Sequence, residues 1–366
     1  MVKQTAAKNI VSGGSKTQVP VLDDTLYKCV PVDWLWMPKP FRTGIAVVTM
    51  TLFAMCFLIV PCLMIFLIPH VWRFAPITAA CTLGGIVFSY FVPAREWIAA
   101  RKFGQLWYEV LDFSSNISPE VCMQRTNDGL QMKYIIGMHP HGIVPFHAIL
   151  WAAYCDQYMT NENNSLYGFG AAADVVMYLP LLRNVMGWLA CGGASYKTLR
   201  DGIAHGKCAP VNAIGRNPRN LYILPGGIAE VFTSTPGRNA VVFKNRYGLC
   251  RLSLETGARL MPCYVFGGTD FFHNLATSDS VFSRASRKFK AGMTVFWGYF
   301  GLPIPFFPKV TITIADPIEV TKWEGEGRIP QEQVEALHAK YVASIQELFD
   351  RYKVAAGYPN SVLEIE

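Results

Sequence analysis

Hydrophobic positions divide this 366-residue chain into unequal parts. From residue 43 to 72 there is no Asp, Glu, Lys or Arg; Arg73 interrupts, residues 74–94 are again free of charge, and Arg95 ends the block. At about 1.5 Å per residue, either stretch approaches or exceeds a hydrocarbon core of about 30 Å. Pro69 and Pro76 bracket the interruption and mark a tight turn. Two apolar helices so joined lie antiparallel, which predicts a membrane helical hairpin over residues 43–94. Lys39 and Arg42 flank one end, Arg95, Arg101 and Lys102 the other, and the turn carries only Arg73. Positive-inside bias then puts both ends of the hairpin in the cytosol. Residues 1–42 are expected to be a disordered cytosolic tail. No signal peptide is expected, since the first apolar run starts late.

From residue 95 to 366 the pattern becomes that of an α/β domain. Short apolar runs at 133–138, 220–224, 260–266 and 310–314 read as buried strands, each ending in Gly, Pro or Asp. Residues 245–256 between them suit a helix. Near the end, Val334, Leu337, Tyr341, Ile345, Leu348 and Tyr352 recur at spacings of three and four, between Pro330 and Gly357. That is an amphipathic helix with its start and stop signals. Residues 171–190, apolar but holding Asp174 and Arg183, suit a core or interfacial helix better than a third span. Alternating strands and helices predict a mixed sheet flanked by helices, with chemistry at strand ends.

Composition narrows the function. Apolar residues make up 51% and charged residues 16%, and the net charge is +7. Without a dense Lys/Arg run, this excess suits anionic headgroups or a polyphosphate cosubstrate rather than nucleic acid. Ten cysteines are scattered with no Cys-x-x-Cys pair, which argues against a zinc site and a disulfide framework. There is no Gly-x-Ser-x-Gly elbow, so an α/β-hydrolase is disfavoured. Residues 202–207 fall one short of a phosphate-binding loop.

Three motifs carry chemistry. His139-Pro140-His141-Gly142 follows the first strand, and Pro and Gly fix a loop that a generic core does not need. An imidazole there suits a general base near neutral pH. A purely structural pair and a metal-binding His-x-His are the other readings, the latter with His147 and Cys155 nearby but no third ligand indicated by spacing. Gly226 and Gly227, ending the second strand, allow close backbone approach, and their amides could line an anion or oxyanion site. Glu230 follows; it could orient an imidazole or accept a hydroxyl hydrogen bond, while a solvated Glu after a glycine turn explains the segment equally well. Arg238, Lys244, Arg246 and Arg251 form a basic stretch suited to phosphates.

In this order the motifs resemble the type-2 diacylglycerol acyltransferases, a family that includes monoacylglycerol and wax-alcohol acyltransferases. His139-Pro140-His141-Gly142 is similar to its signature, residues 222–230 to its glycine-rich segment ending in Glu, and residues 236–248 to its basic block. Two departures stand out. Gly268 follows Phe266-Gly267 where the family tends to place a polar or acidic residue, and Leu249 stands where Phe is usual. The wider glycerolipid acyltransferases also carry an Asp five positions after the His, and here Phe146 holds that offset from His141.

The resemblance implies a glycerolipid-acyltransferase-like fold behind the hairpin and acyl transfer from acyl-coenzyme A to diacylglycerol, with monoacylglycerol or a long-chain alcohol as alternative acceptors. His141 is expected to be the base and His139 to shape the loop or assist the leaving thiolate. Glu230 is expected to replace the missing carboxylate, and Pro140 and Gly142 to shape the substrate site. Amides at Gly226 and Gly227 are the expected oxyanion donors, and Arg238, Lys244 and Arg246 the expected phosphate ligands. Neither metal nor bound cofactor is expected, because acyl-coenzyme A arrives activated. The expected partners are acyl-coenzyme A, diacylglycerol and a bilayer or lipid-droplet monolayer, at the cytosolic face of the endoplasmic reticulum or on droplets; oligomerisation is left open. A non-enzymatic membrane hairpin protein is the reading from another class, and it has no need of the histidine loop.

Overall fold

A computed structural model describes residues 24–62, 73–92, 94, 96–118, 120–122, 133–160, 166–180, 182–205, 219–276, 279–289, 292 and 294–366. The strands are β1 (Tyr27–Lys28), β2 (Ser114–Ser115), β3 (Tyr134–His139), β4 (Phe169–Ala172), β5 (Cys191–Gly193), β6 (Leu221–Ile223), β7 (Ala240–Val241), β8 (Arg259–Phe266), β9 (His273–Asn274), β10 (Phe296–Trp297), β11 (Thr311–Ile314) and β12 (Glu364–Ile365). The helices used below are α1 (Lys39–Cys62), α2 (Pro76–Phe91), α3 (Ile98–Phe103), α4 (Trp107–Val110), α5 (Phe146–Tyr158), α6 (Leu182–Trp188), α7 (Tyr196–His205), α8 (Gly227–Thr233), α9 (Gly248–Thr256), α10 (Val281–Phe289) and α11 (Gln331–Ala356).

Eight strands form one mixed sheet in the order β1-β2-β11-β8-β3-β6-β4-β5. β3 lies between β6 and β8 and is parallel to both, whereas β11 joins β8 antiparallel. All six residues of β3 are buried, as a strand covered on both faces requires. Ile136 and Met138 enter the core shared with α1, α4 and α5; Ile135 enters the core shared with α7, α9 and α11. The stripe on α11 is buried as its periodicity predicts, from Val334 to Tyr352, and each large side chain of that kind stabilises by about 1.5–3 kcal/mol. Gly357 closes α11 at φ 100°, a left-handed position that glycine takes without steric cost.

The membrane-crossing hairpin over residues 43–94 is not found. Among the described residues no helix is long and apolar enough to cross a membrane. The 16 residues of α2 reach only about 24 Å at 1.5 Å each, short of a hydrocarbon core of about 30 Å. α1 is longer, but its inner face belongs to the protein interior: Ala46, Met50, Phe53 and Ala54 are buried, and Trp107 Nε1 donates to Thr49 Oγ1 at 3.0 Å. Apolar residues that hydropathy assigns to lipid therefore serve in part as core.

Two of the flanking charges, Arg42 and Arg101, are likewise spent inside. Arg42 grips Glu109 through Nε at 2.9 Å and Nη2 at 2.8 Å. Arg101 is fully buried between Glu96 and Asp156, 4.4 Å above the Tyr167 ring. The turn expected near Pro69 lies outside the described residues, as do Arg95 and residues 1–23 of the expected tail. From Asp24 onward that tail is ordered against the domain, with β1 paired antiparallel to β2.

Residues 171–190 also differ from expectation. Instead of one helix they give the end of β4, a 3-10 turn at Asp174–Tyr178 and the short α6. Pro180 prevents one helix from running through.

Candidate active site

Because β3, β6 and β8 are parallel neighbours, their carboxyl ends open together, where open α/β sheets place their sites. β3 ends in His139, β6 leads to Pro225-Gly226, and β8 leads to Gly267-Gly268. Two close approaches shape these ends, the first of them between the β3 and β8 ends. Gly142 takes φ 72°, and a Cβ there would lie 2.6 Å from the Gly268 carbonyl oxygen. Gly226 lies under the Glu230 side chain, and a Cβ there would meet its Cδ at 1.8 Å. The glycine at 268, unusual against the resembled family, is thus the one whose carbonyl meets the histidine loop.

Glu230, in α8, is completely buried and accepts three hydrogen bonds. Oε1 receives the His139 ring through Nδ1 at 3.1 Å and the Val242 amide at 3.0 Å. Oε2 receives the His141 amide at 2.6 Å. Three donors on one carboxylate satisfy a buried anion. The carboxylate expected to orient the His141 ring thus touches that residue through its backbone, while the imidazole it grips is His139. The His139 ring is itself fully buried, edge-on to Phe243 at 5.3 Å and Tyr341 at 6.0 Å.

His141 is half-buried. Its Nδ1 stands 2.8 Å from the Gly142 carbonyl oxygen. A carbonyl only accepts, so Nδ1 carries the proton and Nε2 of the neutral ring keeps its lone pair. Burial pushes this imidazole below its ordinary pKa, partly offset by the Gly142 hydrogen bond and the Glu230 charge. Close by, His147 in the first turn of α5 is fully buried, and neither ring nitrogen has a hydrogen-bond partner. Burial, together with His141, pushes its pKa down to about 3. Phe146, at the offset where the wider family keeps its Asp, is fully buried against Trp107, Phe271 and Phe272.

Of the two glycine amides, that of Gly227 departs from expectation. The Gly227 amide donates to the Leu224 carbonyl at 3.1 Å, so it is engaged within its own turn. α8 has seven residues and starts here.

The basic block divides. Arg238 pairs with Glu364 at 2.7 Å and also with Glu366, which directs it to the last residues of the chain rather than to an open site. β12 runs parallel to β7 beside it. Lys244 and Arg246 are exposed, and Arg246 Nη1 donates to the Pro225 carbonyl at 3.2 Å, beside Gly226. Arg251 bonds Gln331 on α11 at 2.8 Å, away from the loop.

Sequence reasoning missed the supports. Val242 and Phe243 carry no chemical signal, yet one holds Glu230 and the other packs on His139. Tyr341 was assigned to packing, and its hydroxyl also donates to the Gly137 carbonyl at 3.1 Å, fixing the end of β3. Among the described residues no cluster of three or more His, Cys, Asp or Glu is placed to hold a metal. The Nδ1 atoms of His139 and His141 are both engaged by protein acceptors.

Comparison with known proteins places this geometry in a family. The family model for diacylglycerol acyltransferase matches residues 72–366. Diacylglycerol O-acyltransferase 2 of Bos taurus is 29% identical over 256 residues, covering 63% of this chain and 64% of that protein. The chain thus spans somewhat under two thirds of this relative's length. The Mus musculus protein of the same name is 28% identical over 301 residues, 74% of this chain and 71% of its own. Diacylglycerol O-acyltransferase 1 of Schizosaccharomyces pombe is 28% identical over 253 residues, 64% of this chain and 67% of its own. Among solved structures, the 1-acyl-sn-glycerophosphate acyltransferase of Thermotoga maritima aligns over 82% of this chain and 97% of its own, with 14% identity and a TM-score of 0.33. The family match covers most of the chain, including every residue of the histidine loop and of the Glu230 cradle, and this chain belongs to the diacylglycerol acyltransferase family.

Proposed function

We propose that this protein transfers an acyl group from acyl-coenzyme A to the free hydroxyl of diacylglycerol, forming triacylglycerol, with His141 as general base. The observation that carries the assignment is the state of the His141 ring: neutral, with its proton on Nδ1 and Nε2 left to accept. An alcohol is far too weak an acid to ionise near neutral pH, so a base must take its proton as it attacks the thioester. Glu230 is a positioning residue, holding the loop through the His141 amide and fixing His139 beneath it. His139, its Nδ1 bonded to Glu230 and its ring packed against Phe243 and Tyr341, serves the loop. Lys244 and Arg246 are the candidates for the coenzyme A phosphates; Arg238, engaged by two carboxylates, holds the segment instead. No bound cofactor enters this reading, since the thioester is already activated.

The acceptor dissolves in lipid, so the protein has to work at a lipid surface. Side chains on the outer faces of α1 and α2, including Phe41, Leu52, Ile77, Phe88 and Phe91, are exposed and support contact with such a surface. The endoplasmic reticulum membrane and the lipid droplet both hold the acceptor and are the proposed locations.

The test is triacylglycerol formation by membranes of a host lacking that activity, given labelled acyl-coenzyme A and diacylglycerol. Wild type and His141→Ala are compared at matched protein levels, with monoacylglycerol and a fatty alcohol as parallel acceptors. Product from diacylglycerol that falls by roughly 10²–10⁴-fold in the variant supports the reading. Product with another acceptor alone changes the substrate and keeps the mechanism. No product with any acceptor overturns the reading.

A further inference from the structure

Attack on a thioester turns its carbonyl oxygen into an oxyanion, and catalysis needs a hydrogen-bond donor where that charge develops. Of the two glycine amides expected to supply one, that of Gly227 is bonded to Leu224. Beside the base, His147 has both ring nitrogens uncommitted, whereas His139 has one engaged by Glu230. The His147 ring is fully buried and interacts electrostatically with His141. A neutral imidazole has one N–H to give. Leaving a buried donor unpaired costs about 1–3 kcal/mol, so the position favours a ligand atom that accepts. His147 also stands in the first turn of α5, a 13-residue helix whose N-cap supplies no side-chain hydrogen bond. The positive end of the helix dipole favours developing negative charge there and disfavours an imidazolium. Around His147, His141 and Ile143 of the loop, Pro145 before the helix and Ala148 within it are half-buried.

We propose that His147 is the oxyanion donor of this enzyme, its neutral ring N–H bonding the thioester carbonyl oxygen while His141 takes the proton of the attacking hydroxyl. The inference rests on the acyl-transfer reading above. In the step, the hydroxyl oxygen forms a bond to the carbonyl carbon and His141 Nε2 accepts its proton. The carbonyl π pair moves onto oxygen, facing the His147 N–H. On collapse the C=O re-forms, the C–S bond breaks, and the coenzyme A thiolate takes the proton back from His141. The products are an ester and a thiol, and neither histidine has gained or lost a proton. His147 donates without transferring, which suits a ring held far from protonation at neutral pH.

The test compares wild type, His147→Phe, which fills the volume without a donor, and His147→Gln, which keeps one. Full-length protein in membranes is assayed with labelled acyl-coenzyme A and the acceptor that wild type uses. The Phe variant is expected to lose about 10²–10³-fold in kcat, with KM for acyl-coenzyme A little changed and the acid limb of the pH profile, set by His141, in place. The Gln variant is expected to recover at least about tenfold of that loss, in line with a restored donor. A Phe variant within about tenfold of wild type, or a Gln variant no better than Phe, overturns the proposal. If the Phe variant does not accumulate, His147→Met against His147→Gln makes the same comparison by the same criterion. An inactive wild type refutes the acyl-transfer reading itself, whereas an active wild type with an equally active Phe variant refutes only the role of His147.

Discussion

Replacing Glu230 with Gln keeps the shape of the side chain and removes its charge. The carboxylate accepts from His139 and Val242 on one oxygen and from the His141 amide on the other. A carboxamide has one oxygen. Turned towards His139 and Val242, it sets its NH2 against the His141 amide, donor against donor. Turned the other way, it strands Val242 and forces His139 into its other tautomer. The first arrangement is the cheaper, and it loses one charge-assisted hydrogen bond worth about 1.5–3 kcal/mol and leaves an amide unpaired. A net cost of about 2–4 kcal/mol follows, and it falls on the loop that carries His141. If the loop absorbs that cost by leaving its position, turnover drops by roughly 30- to 1,000-fold at about 1.4 kcal/mol per decade. Acyl transfer at matched protein levels and thermal unfolding of detergent-purified protein measure the two consequences together. A Gln variant within about threefold of wild-type turnover, with an unchanged unfolding midpoint, would refute the positioning role, since a strained carboxamide cannot be this cheap.

Other consequences are as direct. Since burial lowers the His141 pKa, the active neutral form persists below the ordinary value near 6.5; kcat/KM should rise with pH to a plateau whose half-point lies below that value, and a half-point above it contradicts the burial. For His147, with a folded pKa of about 3, the unfolded chain takes up a proton first as pH falls. Its contribution to stability is therefore full above about pH 6.5 and declines towards pH 3, by up to about 1.4 kcal/mol per unit; denaturant unfolding from pH 7 to 4 should show a shallower slope in His147→Phe. Gly226→Ala would put a methyl 1.8 Å from Glu230 Cδ and should abolish most acyl transfer by displacing the carboxylate, whereas Gly248→Ala, with open space around its Cβ, should leave activity intact. Phe146→Asp should not rescue Glu230→Gln; it buries a carboxylate among aromatic rings and should destabilise at least as much as Phe146→Ala, about 3–5 kcal/mol by unfolding midpoint.

The parts of this molecule that were legible in the sequence are those whose signal is local. β3, β6, β8 and β11 lie where apolar runs end in Gly, Pro or Asp, and α11 follows its stripe between Pro330 and Gly357. The histidine loop and Glu230 were marked by turn chemistry and order. What was not legible depends on the far side of each contact. Hydropathy cannot tell a face of α1 packed on Trp107 from one packed on lipid, because both want apolar side chains. Positive flanks mark orientation only while they are free, and Arg42 and Arg101 are engaged by acids far along the chain or within the buried core. Which histidine Glu230 would grip depends on the alternation of β3: Gly137 and His139 face α11, and the loop then carries His141 round to where only its amide faces the carboxylate. Val242 gave no signal because it acts through its backbone.

The position of Phe146 ties these observations together. In the wider glycerolipid acyltransferases a carboxylate stands five residues after the histidine, in the sequence that follows the loop. Here that sequence is the first turn of α5, and Phe146 there meets Phe53 of α1 at 5.8 Å, Trp107 at 5.5 Å and Phe271 at 4.7 Å. A carboxylate could not be ionised in such a setting without a partner. The carboxylate present here, Glu230, lies on the helix after β6, where the His139 ring and two backbone amides satisfy it. This frees the α5 side for apolar packing that runs unbroken from α1, whose outer face is exposed and apolar, to the loop bearing His141. A shift of α1 against the domain would be felt at Phe53 and Phe146, next to the histidine loop, and at the Thr49–Trp107 and Arg42–Glu109 contacts that tie α1 to α4. The charge thus lies on the Glu230 side of the histidine loop and the aromatic packing on the α5 side.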